Sequence, residues 1–226
     1  DNQLYPETLA PPPDKDWYLP RLSRAKRYGF NTVKSCVELL PQDYIEAADE
    51  AGILVIQEMP FGLSTLRANR CIIDKEFRDY YAKELEDQVR VTRNHASVTV
   101  YSMSSEMDYG AQTKDSFDFF NRDLPMLSRK LAPHALVIDC TGYLDTEQTT
   151  KGTRITDFYA SIMPTWAKEV LDDTPVNSDH KHPTVLHEFN WWSCYPDLNA
   201  RKDYENTQLK PYWLDTLERT ARENGQ

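Results

Sequence analysis

What this 226-residue sequence lacks excludes several functions before any motif is considered. It has no excess of positive charge. Lys and Arg number 26 against 36 Asp and Glu, a net charge of −10, with a sequence pI near 5.0. Binding a phosphate backbone requires a basic surface, so nucleic acid is not an expected partner. No apolar run approaches the ~20 residues of a membrane-crossing helix, and no membrane partner is expected. The four cysteines, Cys36, Cys71, Cys140 and Cys194, are far apart and show no C-x-x-C spacing. They are expected to be free or incidental thiols. His180 and His182 form an "HKH" triplet, but no nearby Cys or paired carboxylate completes a metal set, so no metal is expected. Finally, neither G-x-G-x-x-G nor G-x-x-x-x-G-K-S/T follows any predicted strand, which removes the usual nucleotide-binding folds. No cofactor is implied.

What is present is a sizeable apolar fraction, 40% hydrophobic with 12% aromatic residues and five Trp. That is enough for one core in a single domain. The aromatics suit a sugar-binding surface and equally an ordinary core. Helix and strand signals alternate along the chain. Helices are predicted over 17–28, closed by Gly29, and over 41–52, entered through Pro41 and closed by Gly52. Further helices are predicted over 74–93, over 116–132 despite Pro125, and in the final "LKPYWLDTLERTARENG". Strands are predicted at "FNTVKSC", "ILVIQEMP", "SVTVYSMSSE", "ALVIDCTG", "ITDFYASIMP" and "PTVLHEFNWW".

Apolar strands separated by helices imply a parallel sheet covered by helices. An open doubly wound sheet and a (β/α)8 barrel both satisfy that pattern. Carboxylates recur at the strand ends, at Glu38, Glu58, Glu106, Asp139 and Glu188. In a barrel these ends converge on one mouth, where active sites are built. The fold class expected is therefore α/β, a TIM (β/α)8 barrel. Six strands are found where a closed barrel has eight, and a barrel missing two would expose long parallel edges. The missing strands are expected before residue 1 and after residue 226. The chain, which opens on Asp1 without Met, is then a single catalytic-type domain excerpted from a longer protein, with flanking domains or strands of the same protein as partners.

Glu106 and Glu188 stand out. Carrying an unpaired charge into a strand is costly, several kcal/mol when the group is desolvated. Two acids facing one another across a substrate would drive their pKa values apart, leaving one protonated and one ionised. That is what a retaining glycosidase requires. Two unrelated surface acids at loop starts would fit the spacing as well.

Motifs weigh on that choice. "NTVKSCVELLPQDYIEAADEAGILVI" resembles the first signature of glycoside hydrolase family 2, the β-galactosidase, β-glucuronidase and β-mannosidase group, through Asn31, Ser35, Asp49, Gly52 and the apolar run Ile53 to Ile56. "RNHASVTVYSMSSE" resembles the second through Arg93, Asn94, His95, Ser97, Ser102 and Glu106, and "VLHEFNWW" looks like the nucleophile strand. The resemblance spans roughly 17 to 215 and places the chain at about strands 2 to 7 of the family's barrel. It implies that Glu106 is the acid/base and Glu188 the nucleophile. It implies that Trp191 or Trp192 stacks on the sugar ring and that Asn190 bonds a hydroxyl. For those three, packing or turn roles stay open.

The departures from the family pattern cluster at the site. Lys34 stands where the family has an Arg that braces the nucleophile, which keeps the charge but loses the planar fork. Val37 and Glu38 replace His-Tyr, Ser105 replaces the Asn before the acid/base, and Tyr101 replaces a strand Trp. Near Met163 the family's nucleophile-bonding Tyr is missing; Tyr159 has the inward parity but lies four residues deeper. The magnesium-binding acid and His of some members have no counterpart. Glu58 is expected to be a site-wall or buried hydrogen-bonding carboxylate. Lost sugar contacts with both carboxylates kept imply a divergent member with a different glycoside. The expected function is that of a retaining β-glycosidase acting on oligo- or polysaccharides, with carbohydrate as substrate. The alternatives are a non-catalytic carbohydrate-binding barrel descended from an enzyme and a scaffold barrel. Location is left open, although enzymes of this type are often exported, which favours a secreted or periplasmic setting.

Overall fold

A computed structural model describes residues 10–12, 14–62, 74–106, 114–142, 155–162, 183–188, 198–208 and 210–223. Cys71, Cys194, His180 and His182 lie outside these residues; among the described residues Cys36 and Cys140 form no disulfide. The chain divides into two compact units, residues 1–189 and 190–226.

The first unit is built on parallel strands. β1 (Thr32–Lys34), β2 (Leu54–Glu58), β3 (Val98–Ser102) and β4 (Leu136–Ile138) form one sheet in sequence order. β5 (Tyr159–Ile162) and β6 (Thr184–Glu188) pair in parallel beside it. Isolated parallel bridges run Gly62–Ser105–Thr141–Ala160, so the pairing passes from β2 through to β5. Six strands in chain order, each parallel to the last, match the six predicted from sequence, and the crossovers β1–β2, β2–β3 and β3–β4 each carry a helix.

The helices take up the other face. α1 (Lys15–Arg27) is capped by Asp14, whose side chain accepts from the Asp16 N–H. α2 (Gln42–Ala51) ends where Gly52 adopts a left-handed φ of 66°, a conformation that glycine reaches without the Cβ penalty. α1 and α2 pack together through Tyr18 and Leu22 against Tyr44 and Ile45, all buried. α3 (Lys75–Thr92) turns Tyr81, Leu85 and Val89 inward at four-residue spacing, as a helix with one apolar face must. Each such side chain fully buried contributes about 1.5–3 kcal/mol of transfer free energy.

The predicted helix over 116–132 is not continuous. α4 (Lys114–Asp118) passes through a π-helical turn (Phe119–Asp123) into α5 (Leu124–Leu131). Pro125 has no N–H to donate and its ring crowds the carbonyl four residues back, and the widened turn lies immediately before it. The turn also places Phe119 and Phe120 against Tyr81, with Phe120 stacked on Phe61 at a centroid distance of 4.8 Å.

Inside the sheet a smaller cluster forms from Val100, Ile138, Phe158 and Ala160, with Ile56 packed against it. At the amino-terminal end of β3, Asp49 accepts from the Ser97 N–H at 2.7 Å and meets His95 Nδ1 at 2.6 Å. Arg93 donates to the Leu131 carbonyl, and the Arg93 carbonyl contacts His134 Nε2.

In the second unit a 3-10 helix (Leu198–Tyr204) precedes α6 (Tyr212–Glu223). Arg201 ties the two by pairing with Asp215 and Glu218. The sequence signals α6 but not the 3-10 turn.

Candidate active site

Side chains alternate along a strand, so at the carboxyl end of the sheet every second residue faces inward. Val33, Val55 and Tyr101 pack on the helix side, which leaves Lys34, Glu58 and Ser102 on the inner one. Glu58 is completely buried. Its carboxylate is held from three elements: Lys34 Nζ lies 3.0 Å from Oε2, the Val37 N–H donates to Oε1 at 2.7 Å, and the Thr141 hydroxyl donates to Oε2. The Glu58 N–H itself donates to Ser35 Oγ. A buried carboxylate persists only when it is paired and hydrogen-bonded in this way. The expectation of a buried, hydrogen-bonding Glu58 is met, with Lys34 as its cation. Below this group Tyr81 donates to the Met103 carbonyl. Burial and then the Glu58 charge push the Tyr81 phenol well above its ordinary range.

Glu106 follows β3 on the same rim. Its backbone is in the left-handed region, φ 49°, and its N–H donates to the Thr141 carbonyl at 2.7 Å. Val37, after β1, has φ 53°. For residues with a Cβ this region costs about 1–2 kcal/mol each, and such strain collects where a site holds side chains in place. Gly142, after β4, has φ 71°. A Cβ there would lie 2.7 Å from Glu106 Cγ and 2.8 Å from His187 Nδ1. Glu106 and His187 thus converge over the bare Cα of Gly142.

His187 lies at an irregularity of β6, on the face of Val185, the partner of the inward-facing Ala160. Ser161 pairs with Leu186 but Ile162 pairs with Glu188, so His187 is an extra residue in the ladder, and bulges of this kind re-aim side chains. The imidazole is partly buried, its Nδ1 is fully buried, and that atom has no hydrogen-bond partner among the described residues. Burial, and then the nearby Lys34 charge, lower its pKa to about 4. It is therefore neutral near pH 7.

The remaining expected site residues divide. Ser105 is buried in the bridge from Gly62 to Thr141, with its Oγ 3.2 Å from Thr141 Oγ1. Glu38 is half-buried in the loop after β1, and its carbonyl accepts from Gln57 Nε2. Tyr159 requires a correction. Phe158 and Ala160 on either side of it face the inner cluster, so strand alternation turns Tyr159 to the opposite face, and it pairs with Thr184 at the far end from Glu188. Glu188 closes β6 at the same end of the sheet as Glu106, but its side chain lies outside the described residues, as do Met163, Asn190, Trp191 and Trp192. Thr141, Gly142 and His187 had no signal in the sequence. Among the described residues no group of His, Cys, Asp and Glu is arranged to hold a metal ion.

This rim of strand-end residues agrees with comparison to known proteins. The family described as glycosyl hydrolases family 2, TIM barrel domain, matches residues 22–191. The chain belongs to that family. Its six parallel strands are the part of a (β/α)8 barrel running from about strand 2 to strand 7. Solved structures agree on the fold. A β-D-glucuronidase of Dictyoglomus thermophilum superposes with a TM-score of 0.63 at 18% identity, over 78% of this chain and 33% of that one. An FMN-binding β-glucuronidase from Facaelibacterium prausnitzii gives 0.62 at 20% identity, over 81% and 29%. A Bifidobacterium dentium β-glucuronidase complexed with coumarin-3-O-glucuronide gives 0.54 at 16%, over 69% and 25%. The family 2 chain thus spans a third or less of each of these proteins, and at such identities the likeness is one of fold. No curated protein sequence matches it.

Proposed function

We propose that this family 2 barrel belongs to a retaining β-glycosidase in which Glu106 is the acid/base and Glu188 the nucleophile. The observation that carries the reading is that two glutamates leave the carboxyl ends of two strands, β3 and β6, on one rim of a family 2 barrel. Glu188 attacks the anomeric carbon as the bond to the leaving oxygen breaks, and Glu106 gives that oxygen its proton. Glu106 then takes a proton from water, whose oxygen displaces Glu188 from the same carbon. The two carboxyls are expected ~5–5.5 Å apart. Lys34 and Glu58 keep a fixed charge pair on the wall beside them, and Trp191, Trp192 and Asn190 are placed by sequence just past the nucleophile. The domain is proposed to be part of a longer protein that supplies the remaining barrel strands.

The test is turnover of an aryl-glycoside panel, with glucuronides included, by the complete protein and by its Glu106→Gln and Glu188→Gln variants. Removing an acid/base or nucleophile is expected to lower kcat by about 10²–10⁴. Activity that survives in Glu188→Gln contradicts the nucleophile assignment. An inactive wild type that still binds sugar supports a non-catalytic carbohydrate-binding barrel instead.

A further inference from the structure

His187 carries a buried ring nitrogen that the proposed reaction does not use. It precedes the proposed nucleophile by one residue and lies on the β6 bulge. Its ring shares the space over Gly142 with the Cγ of Glu106, one bond from the Glu106 carboxyl carbon. Its Nδ1 is fully buried and unpartnered among the described residues, an unmade hydrogen bond of the kind buried groups rarely leave. The absence of a Cβ at Gly142 is what lets the two side chains approach.

We propose that His187 is a positioning residue for Glu106: its Nδ1 accepts the hydrogen of the protonated Glu106 carboxyl and fixes that acid in the orientation from which it donates. The proposal rests on the assignment of Glu106 as acid/base. Among the described residues, the charged groups near the imidazole are Lys34 from β1, held in its pair with Glu58 from β2, and Glu106 after β3. Among the described residues after β4, the uncharged Gly142 is the one that meets the imidazole. With Lys34 on one side and little solvent, the ring stays a weak base. It accepts a hydrogen bond without taking the proton, which remains on Glu106 for the leaving oxygen. Such a bond favours the protonated acid and raises its pKa. The bare Nδ1 requires the tautomer with the proton on Nε2.

Two measurements on the complete protein test this. In the first, 15N NMR of histidine-labelled protein follows the His187 Nδ1 resonance in wild type and in Glu106→Ala. A hydrogen-bonded signal lost in the variant is expected. Identical Nδ1 shifts across the pH range overturn the proposal, and this arm needs no turnover. The second is the pH dependence of kcat/KM on an aryl glycoside that the wild type cleaves. His187→Ala is expected to lower kcat with little change in KM and to move the basic limb down by about one pH unit, a tenfold change in the protonation equilibrium. His187→Asn, whose amide oxygen falls near the place of Nδ1, is expected to restore both; His187→Gln, which reaches the place of Nε2, is not. A basic limb unmoved in His187→Ala, or Asn and Gln variants that behave alike, overturns it. If the wild type cleaves nothing, the glycosidase reading fails, and the NMR arm still decides the Glu106–His187 contact.

Discussion

The two ends of the β1–β4 sheet use similar residues to opposite purposes. At the amino-terminal end Asp49, His95 and Ser97 close on one another, joining the end of α2 to the turn before β3. Burial works to raise the Asp49 carboxyl, but the hydrogen bonds from Ser97 and His95 outweigh it and hold it below the usual carboxylate range. None of the three is in the left-handed region. At the carboxyl end Glu58 is likewise held by Lys34, Val37 and Thr141, but beside it Val37 and Glu106 carry left-handed backbone and His187 Nδ1 has no partner among the described residues. One end satisfies its polar groups and fastens the fold. The other spends stability on placing side chains, which is what is expected where a barrel keeps its chemistry.

Mutation can break or sharpen that contrast. The largest effect is expected for Lys34→Met, which strips the cation from a carboxylate with no solvent access. Leaving one half of a buried pair uncompensated costs about 3 kcal/mol. A denaturant midpoint shift equivalent to less than about 1 kcal/mol would put this pair in the class of surface bridges. Next is Gly142→Ala. Its left-handed φ adds about 1–2 kcal/mol, and the new methyl meets Glu106 Cγ and His187. Turnover is expected to fall at least tenfold, more than the stability loss accounts for. Wild-type turnover would show that the rim is looser than its geometry. The smallest effect belongs to the fastening end. Asp49→Asn is expected to cost about 1–2 kcal/mol through weakened charge-assisted bonds while leaving KM in place.

That last variant also has a pH signature. Because the folded Asp49 pKa lies below its unfolded value of about 3.8, the unfolded chain binds the proton first as pH falls. The stabilisation is complete above that value and is lost as pH drops through the folded pKa. The wild-type advantage over Asp49→Asn is therefore expected to shrink below about pH 4 in thermal melts. A constant difference down to pH 2 would remove Asp49 as the cause.

Sequence patterning carried far on strands and less far on the rim. All six strands and their parallel order follow from apolar runs alternating with helices, and Glu58 is legible through its match to the family's pattern at that strand end. Gly52 marked the end of α2 because it takes the left-handed turn. The π-helical turn before Pro125 was not legible, since periodicity sees only that Phe119 and Phe120 are apolar. Tyr159 was misplaced because its face depends on where β5 begins, and strict alternation slips with a one-residue shift. His187 shares the parity of Val185, which pairs with the inward-facing Ala160, but nothing in the sequence marks its approach to Glu106. The resemblance residues Asp49 and His95 were legible as a pattern, but their role as a clasp needed the fold.

The central claim is that Glu188 and Glu106 divide nucleophile and acid/base roles on one rim. The most direct measurement is covalent trapping. The complete protein is treated with a 2-deoxy-2-fluoro glycoside of whichever sugar the panel identifies, digested, and mapped by peptide mass spectrometry. The label is predicted on Glu188, and Glu106→Gln should still accept it from a fluoride leaving group that needs no proton. A label on another residue, or turnover with inversion and no label, would contradict the account.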